Sequence, residues 1–113
     1  KLAMIISDVM AKSSKRIMVI VSTDLSHYRS GDKAELLDAK FVHLVKEINP
    51  DALWQGIEAG YCEACGFGGV LTLLYMAVQI PGVKSRILHY THSGKTTGSN
   101  DQVVGYLSAS LGL

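Results

Sequence analysis

The sequence predicts an α/β fold in which a mixed sheet is flanked by helices. Residues 17–21 form a continuous apolar run of strand length, and two further strand-like runs lie near the end of the chain. Between them are stretches in which apolar residues recur at helical spacing. Strands interleaved with helices are typical of α/β proteins, although the last two strands need not run parallel to the first.

The first half of the chain is predicted to form a helix, a strand, a loop and a second helix. The first helix begins near Leu2 and ends at the polar residues that follow it. Residues 17–21 are rich in β-branched side chains and suit a strand covered on both faces. The polar residues 22–32 leave the sheet edge as a loop. Helical spacing resumes over residues 33–48 and stops before Pro50, because the residue before proline avoids the α region.

The second half is predicted to contain two helices followed by two strands. A short helix covers residues 51–58, with Asp51 at its start, where a carboxylate suits the positive end of the helix dipole. A third helix covers residues 67–79 and is stopped by a Pro-Gly pair. Residues 86–91 and 102–110 are then predicted to be strands, joined by a polar loop.

Composition and charge exclude several classes of protein. The 113 residues are 48% hydrophobic and 19% charged, which is ordinary for a globular domain. The net charge of +1, with its charges scattered, leaves no basic stripe for nucleic acid or an anionic membrane surface. The most apolar run, residues 67–78, falls short of the ~20 residues of a membrane span. Two cysteines are too few for a disulfide scaffold, so we expect a cytoplasmic location.

Four motifs, in order, resemble the Memo family. Val21-Ser-Thr-Asp-Leu-Ser-His-Tyr28 follows the first predicted strand and resembles the family signature. The later motifs are Cys65-Gly-Phe-Gly before an apolar helix, His89-Tyr to Ser93-Gly at a strand end, and Val103-Val-Gly-Tyr-Leu-Ser at the close. The chain is similar in particular to the microbial branch called AmmeMemoRadiSam system protein B. The resemblance implies that residues 1–113 are the C-terminal part of a single Memo-like domain.

The resemblance implies a fold shared with class III extradiol dioxygenases and a cleft in which histidines and a cysteine hold iron or copper. In the family the two ligand histidines lie in the N-terminal half, which this chain does not contain, so the implied site is incomplete. By motif match Cys65 is the implied metal ligand, with Asp24 and His27 as catalytic cleft residues beside it. The other positions expected to line the cleft are Tyr28, Gly66, His92 and Ser93. Two residues depart from the family pattern, since Cys62 creates a Cys-x-x-Cys and Gly69 replaces a proline.

Asp24 and His27 lie just beyond the predicted first strand, at the sheet edge where ligand clefts of α/β proteins form. A carboxylate three residues from an imidazole can orient the imidazole tautomer, act as a base beside a metal, or ligate the metal. The competing interpretation is a turn in which Asp24 caps the backbone and His27 lies on the surface.

The Cys65 thiol is predicted to lie at a helix start, where N–H groups and the dipole favour the metal-binding thiolate. The alternative is a small buried hydrophobe. With Cys62 it has the spacing of a redox pair or half a zinc site. A zinc site needs a second pair, and His89 and His92, three apart on a strand, would point to opposite faces. We therefore assign Cys62 a structural or incidental role.

Three kinds of function are compatible with these residues. The first is a redox or dioxygenase-like metalloprotein. The second is a non-catalytic binding or scaffold module of the phosphopeptide type, for which the chain offers only Arg16, Arg29 and Arg86. In the third, the chain works within an assembly, through self-association or with the missing N-terminal half. The resemblance also implies an AMMECR-type protein and a radical SAM enzyme as partners.

Overall fold

Five helices and three strands follow one another along the chain in the computed structural model, which describes residues 1–113. In chain order the elements are α1 (Leu2–Lys12), β1 (His27–Arg29), α2 (Gly31–Lys46), α3 (Pro50–Glu58), α4 (Phe67–Ala77), β2 (Lys84–His92), α5 (Gly94–Thr97) and β3 (Val103–Gly112). The predicted α/β class is confirmed. Two short elements, β1 and α5, lie in stretches that were predicted to be loops.

The three strands form one antiparallel sheet in the order β1-β3-β2. Strands β2 and β3 pair over most of their length, from Lys84 opposite Gly112 to His92 opposite Gly105. The short β1 pairs with the other edge of β3, where His27 lies opposite Val104. The sheet of this chain is therefore antiparallel rather than mixed, and β1 occupies only the beginning of the second edge of β3.

The predicted strand over residues 17–21 is not formed. Residues 17–22, which we call the unpaired segment, make no backbone–backbone hydrogen bond. Met18 and Ile20 are 80% and 78% exposed. A strand exists only where a neighbour completes its ladder, and the pairing of β1 with β3, which begins at Val103 and Val104, does not continue into residues 17–22. The apolar, β-branched composition that predicted the strand is present, but no strand of the structure pairs with it.

The core lies between the sheet and helices α2, α3 and α4. Its largest fully buried apolar side chains are Leu25, Phe41, Leu53 and Leu74. Helix α3 begins at Pro50, one residue before the predicted start, and has Asp51 in its first turn as predicted, while the Asn49 side chain caps it by accepting a hydrogen bond from Ala52 N at 3.0 Å. Only 22 of 113 residues are buried, and the radius of gyration of 15.0 Å exceeds the ~13 Å of a compact chain of this length. Much apolar surface is therefore open.

The helices are short relative to a lipid bilayer. The longest is α2, with 16 residues, and it has one buried face and one face that carries charged side chains. None of the helices combines the length and the apolar character that crossing a membrane requires.

Candidate metal centre

Three side chains from distant parts of the sequence meet at the end of the sheet. One ligand atom each from Asp24, His27 and Cys65 lies within 4.8 Å of the other two. Asp24 Oδ2 and His27 Nε2 lie 3.8 Å apart. Metal–ligand bonds of ~2.0–2.3 Å place two ligands of one ion up to roughly 4.5 Å apart. The donor set therefore fits a single transition-metal ion after small side-chain rotations.

Asp24 lies in residues 23–26, which we call the site loop. Leu25 N donates to Gly105 O at 2.8 Å, and Gly105 N donates to Ser26 O at 3.0 Å. These bonds extend the pairing of β1 with β3 back into the loop. Leu25 is fully buried under the sheet, and its neighbour Asp24 is directed towards the surface. The apolar residue between two polar ones thus anchors the loop and presents the carboxylate.

Cys65 is joined to the site loop by a reciprocal pair of hydrogen bonds. Asp24 N donates to Cys65 Sγ at 3.2 Å, and Cys65 N donates to Asp24 O at 3.1 Å. Thr23 Oγ1 adds a third connection by accepting from Gly66 N at 2.8 Å. A Cβ on Gly66 would lie 2.6 Å from Ser22 O, so the close approach requires glycine there. The Cys-Gly pair places the sulfur beside residues 41 and 38 positions away in sequence.

The competing interpretations of these residues are not favoured by the geometry. The Asp24 carboxylate makes no hydrogen bond with the backbone, unlike a turn-capping aspartate, and its neighbour is His27 Nε2. Cys65 is exposed, which does not suit a small buried hydrophobe. His27 and Asp24 are half-buried. All three side chains are thus open to a ligand.

Tyr28 and Gly66 adjoin the cluster, as expected of cleft-lining residues. The Tyr28 ring lies with its centroid 6.0 Å from that of His27, and the side chain is 73% exposed. Its φ of +57° is rare for a bulky residue. Such strained positions concentrate at functional sites, and this one directs an aromatic ring into solvent beside His27.

His92 and Ser93, the other two residues expected to line the cleft, are engaged in the interior. His92 is 1% exposed, its Nδ1 accepts from Gly94 N at 3.1 Å, and its Nε2 lies 3.1 Å from Glu35 Oε1. The hydrogen bond with His92, followed by that with Lys95, lowers the pKa of Glu35 below its usual range. Ser93 Oγ accepts from Val104 N at 3.0 Å. His92 does not join the three clustered side chains, and its role in a cleft stays a prediction.

Cys62 and Gly69, the two departures from the family pattern, are both closely packed against other parts of the chain. Cys62 is 1% exposed within the core, and burial raises the pKa of its thiol. Both cysteines are free, and only Cys65 reaches the surface. A Cβ on Gly69 would lie 2.9 Å from Val21 Cγ1, so a larger residue would push the unpaired segment away from α4. These observations agree with a structural role for Cys62.

Asp38 was not found by inspection of the sequence. It is fully buried on α2, where its Oδ1 accepts from Ser26 N at 3.0 Å and its Oδ2 from the Tyr90 hydroxyl at 2.7 Å. The signal that could have revealed it is a charged residue on the apolar face of a helix, since Ala34, Asp38 and Phe41 share helical spacing and are all buried.

Arg29, the arginine nearest the site, is already paired. Its Nε donates to Glu63 Oε1 at 3.2 Å, and its Nη2 contacts the same oxygen. The hydrogen bond to Glu63 raises the pKa of the guanidinium. A phosphate would have to displace Glu63 to use this side chain, and the cluster of arginines that phosphate recognition requires is not formed.

Fold and site together define an α/β protein with a carboxylate, an imidazole and a thiol converging at one end of an antiparallel sheet. The family model described as "Memo-like protein" matches residues 1–110. The chain therefore belongs to the Memo-like family, and the predicted membership is confirmed.

Curated relatives agree with this assignment. A MEMO1 family protein of Sulfolobus acidocaldarius is 33% identical over 90% of this chain and 36% of its own length. The corresponding figures for a MEMO1 family protein of Methanocaldococcus jannaschii are 33%, 92% and 36%, and for one of Methanosarcina mazei 26%, 90% and 38%. The chain thus spans 36–38% of the length of these relatives. Their names specify a family and no activity.

Proposed function

We propose that this chain contributes Asp24, His27 and Cys65 to a metal-binding redox site of the dioxygenase-like kind, completed by residues outside the chain. The observation that carries the proposal is the convergence of their three ligand atoms within 4.8 Å. A thiolate and an imidazole suit iron, copper and zinc, whereas Mg²⁺ and Ca²⁺ prefer oxygen ligands. The family resemblance narrows the expectation to iron or copper.

Each side chain has a distinct role in this proposal. Cys65 holds the metal through Sγ, which the Asp24 N–H already orients at 3.2 Å. His27 Nε2, 3.8 Å from Asp24 Oδ2, serves as a ligand or as a base that moves a proton at the cleft. Asp24 orients the imidazole. Iron or copper, when bound, supplies the redox chemistry, and the protein is then an oxidoreductase of the extradiol dioxygenase-like superfamily.

The proposal is tested by metal analysis of the full-length protein. Inductively coupled plasma measurements should find iron or copper, and Cys65→Ser should reduce the content. Cys62→Ser is the matched control, because it removes the other thiol of the same loop and should leave the metal content unchanged. Equal metal in the wild type and in Cys65→Ser would overturn the assignment of the ligand.

A second function, as one part of a larger assembly, is favoured by the unpaired segment. A groove of about 660 Å³ runs between that segment, α4 and β3, and nearly all the residues lining it are apolar. We propose that a strand from the remainder of a Memo-like polypeptide pairs with residues 17–21 and covers the groove. This occupant is supported by the 36–38% share of the relatives' length that the chain spans.

Hydrogen exchange on the full-length protein tests this pairing. The amides of residues 17–21 should exchange slowly in a monomer. If these amides are protected only in a dimer, the groove is occupied by a second copy of the protein. If they exchange rapidly in every state, residues 17–21 have no pairing strand. Either result contradicts the proposal.

A binding module of the phosphopeptide type stays the alternative function. A cytoplasmic location and the AMMECR-type and radical SAM partners stay separate predictions. The salt bridge of Arg29 with Glu63 does not favour phosphate binding. Calorimetry of the full-length protein with a phosphotyrosine peptide distinguishes the two functions, because the metal-site proposal predicts no heat of binding.

A further inference from the structure

Asp38 is a buried carboxylate outside the proposed metal site. It lies on α2 with 0% exposure, in the stretch of the helix that faces the sheet. Removing a carboxylate from water is costly unless hydrogen bonds replace the lost hydration, and an apolar residue at this position would carry no such cost. The hydrogen bonds of the Asp38 carboxylate therefore indicate its role.

One of those contacts is in the middle of the site loop. Asp38 Oδ1 accepts from the N–H of Ser26, which lies between Asp24 and His27 in sequence. The loop is held on its other side by Gly105, which bonds Leu25 N at 2.8 Å and Ser26 O at 3.0 Å. A Cβ on Gly105 would lie only 1.9 Å from Asp38 Oδ2, so β3 and the carboxylate meet without space between them.

The second contact fixes the carboxylate itself. The Tyr90 hydroxyl on β2 donates to Asp38 Oδ2 at 2.7 Å. Burial, and then this hydrogen bond, raise the pKa of the Tyr90 phenol, so it stays a neutral donor at physiological pH. Asp38 is thus held by one strand of the sheet while it holds the loop that carries the site.

We propose that Asp38, oriented by Tyr90, is a positioning residue that sets the placement of Asp24 and His27 relative to Cys65. The inference rests on the proposed metal site. Without the carboxylate, the Ser26 N–H is left unpaired in the interior, and the loop must move to find another acceptor. Because Asp24 N also bonds Cys65 Sγ, such a movement changes the spacing of all three ligand atoms.

Titration of the metal-free full-length protein with Co²⁺ tests this role. Residues outside the ligand shell that orient ligands typically change metal affinity by about 10- to 100-fold, so we expect a loss of that size for Asp38→Ala. Tyr90→Phe should give a smaller loss, and the isosteric Asp38→Asn should restore much of the affinity. Leu53→Ala is the matched control, since Leu53 is equally buried on α3, which packs on α2 and α4. It should lower stability and leave the affinity near the wild-type value.

A second measurement needs no metal. Hydrogen exchange of the metal-free protein should show that Asp38→Ala loses protection at Leu25 and Ser26 while β2 keeps it. Full Co²⁺ affinity in Asp38→Ala, or an equal loss in Leu53→Ala, would overturn the positioning role and leave the metal site intact. Absence of Co²⁺ binding by the wild type would instead overturn the proposed function. In that case hydrogen exchange alone tests the positioning role. A loss of protection spread uniformly over Asp38→Ala would refute that role.

Discussion

The site loop and the unpaired segment are neighbours in sequence and opposites in structure. The site loop is largely polar, yet every one of its residues makes a hydrogen bond with a distant part of the chain, and Leu25 is fully buried. The unpaired segment is rich in apolar, β-branched residues, yet it has no backbone hydrogen bond, and Ile20 is 78% exposed. Burial in this chain therefore follows the availability of backbone partners and not apolarity alone.

The two regions differ in the contacts that residues 1–113 supply to them. The three clustered ligand atoms and the contacts that support them come from within these residues. The unpaired segment receives no backbone hydrogen bond from them. Changes in the site loop should thus affect stability and ligand binding within the chain, whereas changes in the unpaired segment should matter only when a partner covers it.

The largest expected difference comes from equivalent truncations in the two regions. In the 113-residue chain, Leu25→Ala should lower the free energy of unfolding by about 2–5 kcal/mol, because it empties a fully buried position. Ile20→Ala should change it by no more than about 0.5 kcal/mol, as is usual for an exposed residue. Urea denaturation measures both values. A similar cost for the two substitutions would show that the unpaired segment is covered in solution.

A smaller effect is expected where β3 meets Asp38. Gly105→Ala places a Cβ against the carboxylate and should destabilise the chain by about 1–3 kcal/mol through overpacking. Gly112→Ala is the control on the same strand, since a Cβ there meets no atom within 4 Å. Thermal unfolding should separate the two variants, and equal melting temperatures would mean that the site loop is not held as tightly as the structure indicates.

How far the sequence predicts this molecule depends on the range of the interactions involved. Helices α1, α2 and α4 and strands β2 and β3 were predicted near their observed bounds, because helical spacing and turn residues act locally. The strand over residues 17–21 was wrong, and β1 was missed, because strand pairing depends on distant partners.

The site shows the same division. Asp24, His27 and Cys65 were named from motifs, and the structure brings them together. Asp38 was missed because its partners, Ser26 and Tyr90, are 12 and 52 residues away. No local pattern links such residues, although a charged residue on the apolar face of a predicted helix indicates a buried polar contact.

The two cysteines differ in exposure in the same way, since Cys65 is exposed and Cys62 is buried. At neutral pH, iodoacetamide should modify the exposed Cys65 at least about tenfold faster than the buried Cys62, whose thiol has a raised pKa. Mass spectrometry of Cys62→Ser and Cys65→Ser, each with a single thiol, measures the two rates separately. Comparable rates would contradict the burial of Cys62 and its structural role.

The smallest expected effect is a pH dependence that arises from Tyr90. Its pKa is raised on folding, so its contribution to stability is complete below the unfolded value of about 10 and is lost as the pH rises towards the folded value. Denaturation between neutral pH and pH ~11 should show a steeper loss of stability for the wild type than for Tyr90→Phe. Parallel curves for the two proteins would indicate that the hydrogen bond to Asp38 is not maintained.

The central claim is that Cys65, beside Asp24 and His27, holds a metal ion, and the absorption spectrum of the Co²⁺-loaded full-length protein tests it most directly. Thiolate coordination gives a sulfur-to-cobalt charge-transfer band, so the ligand identity is read from the spectrum itself. We predict that the wild type and Cys62→Ser show this band and that Cys65→Ser does not. A band that persists unchanged in Cys65→Ser would contradict the claim.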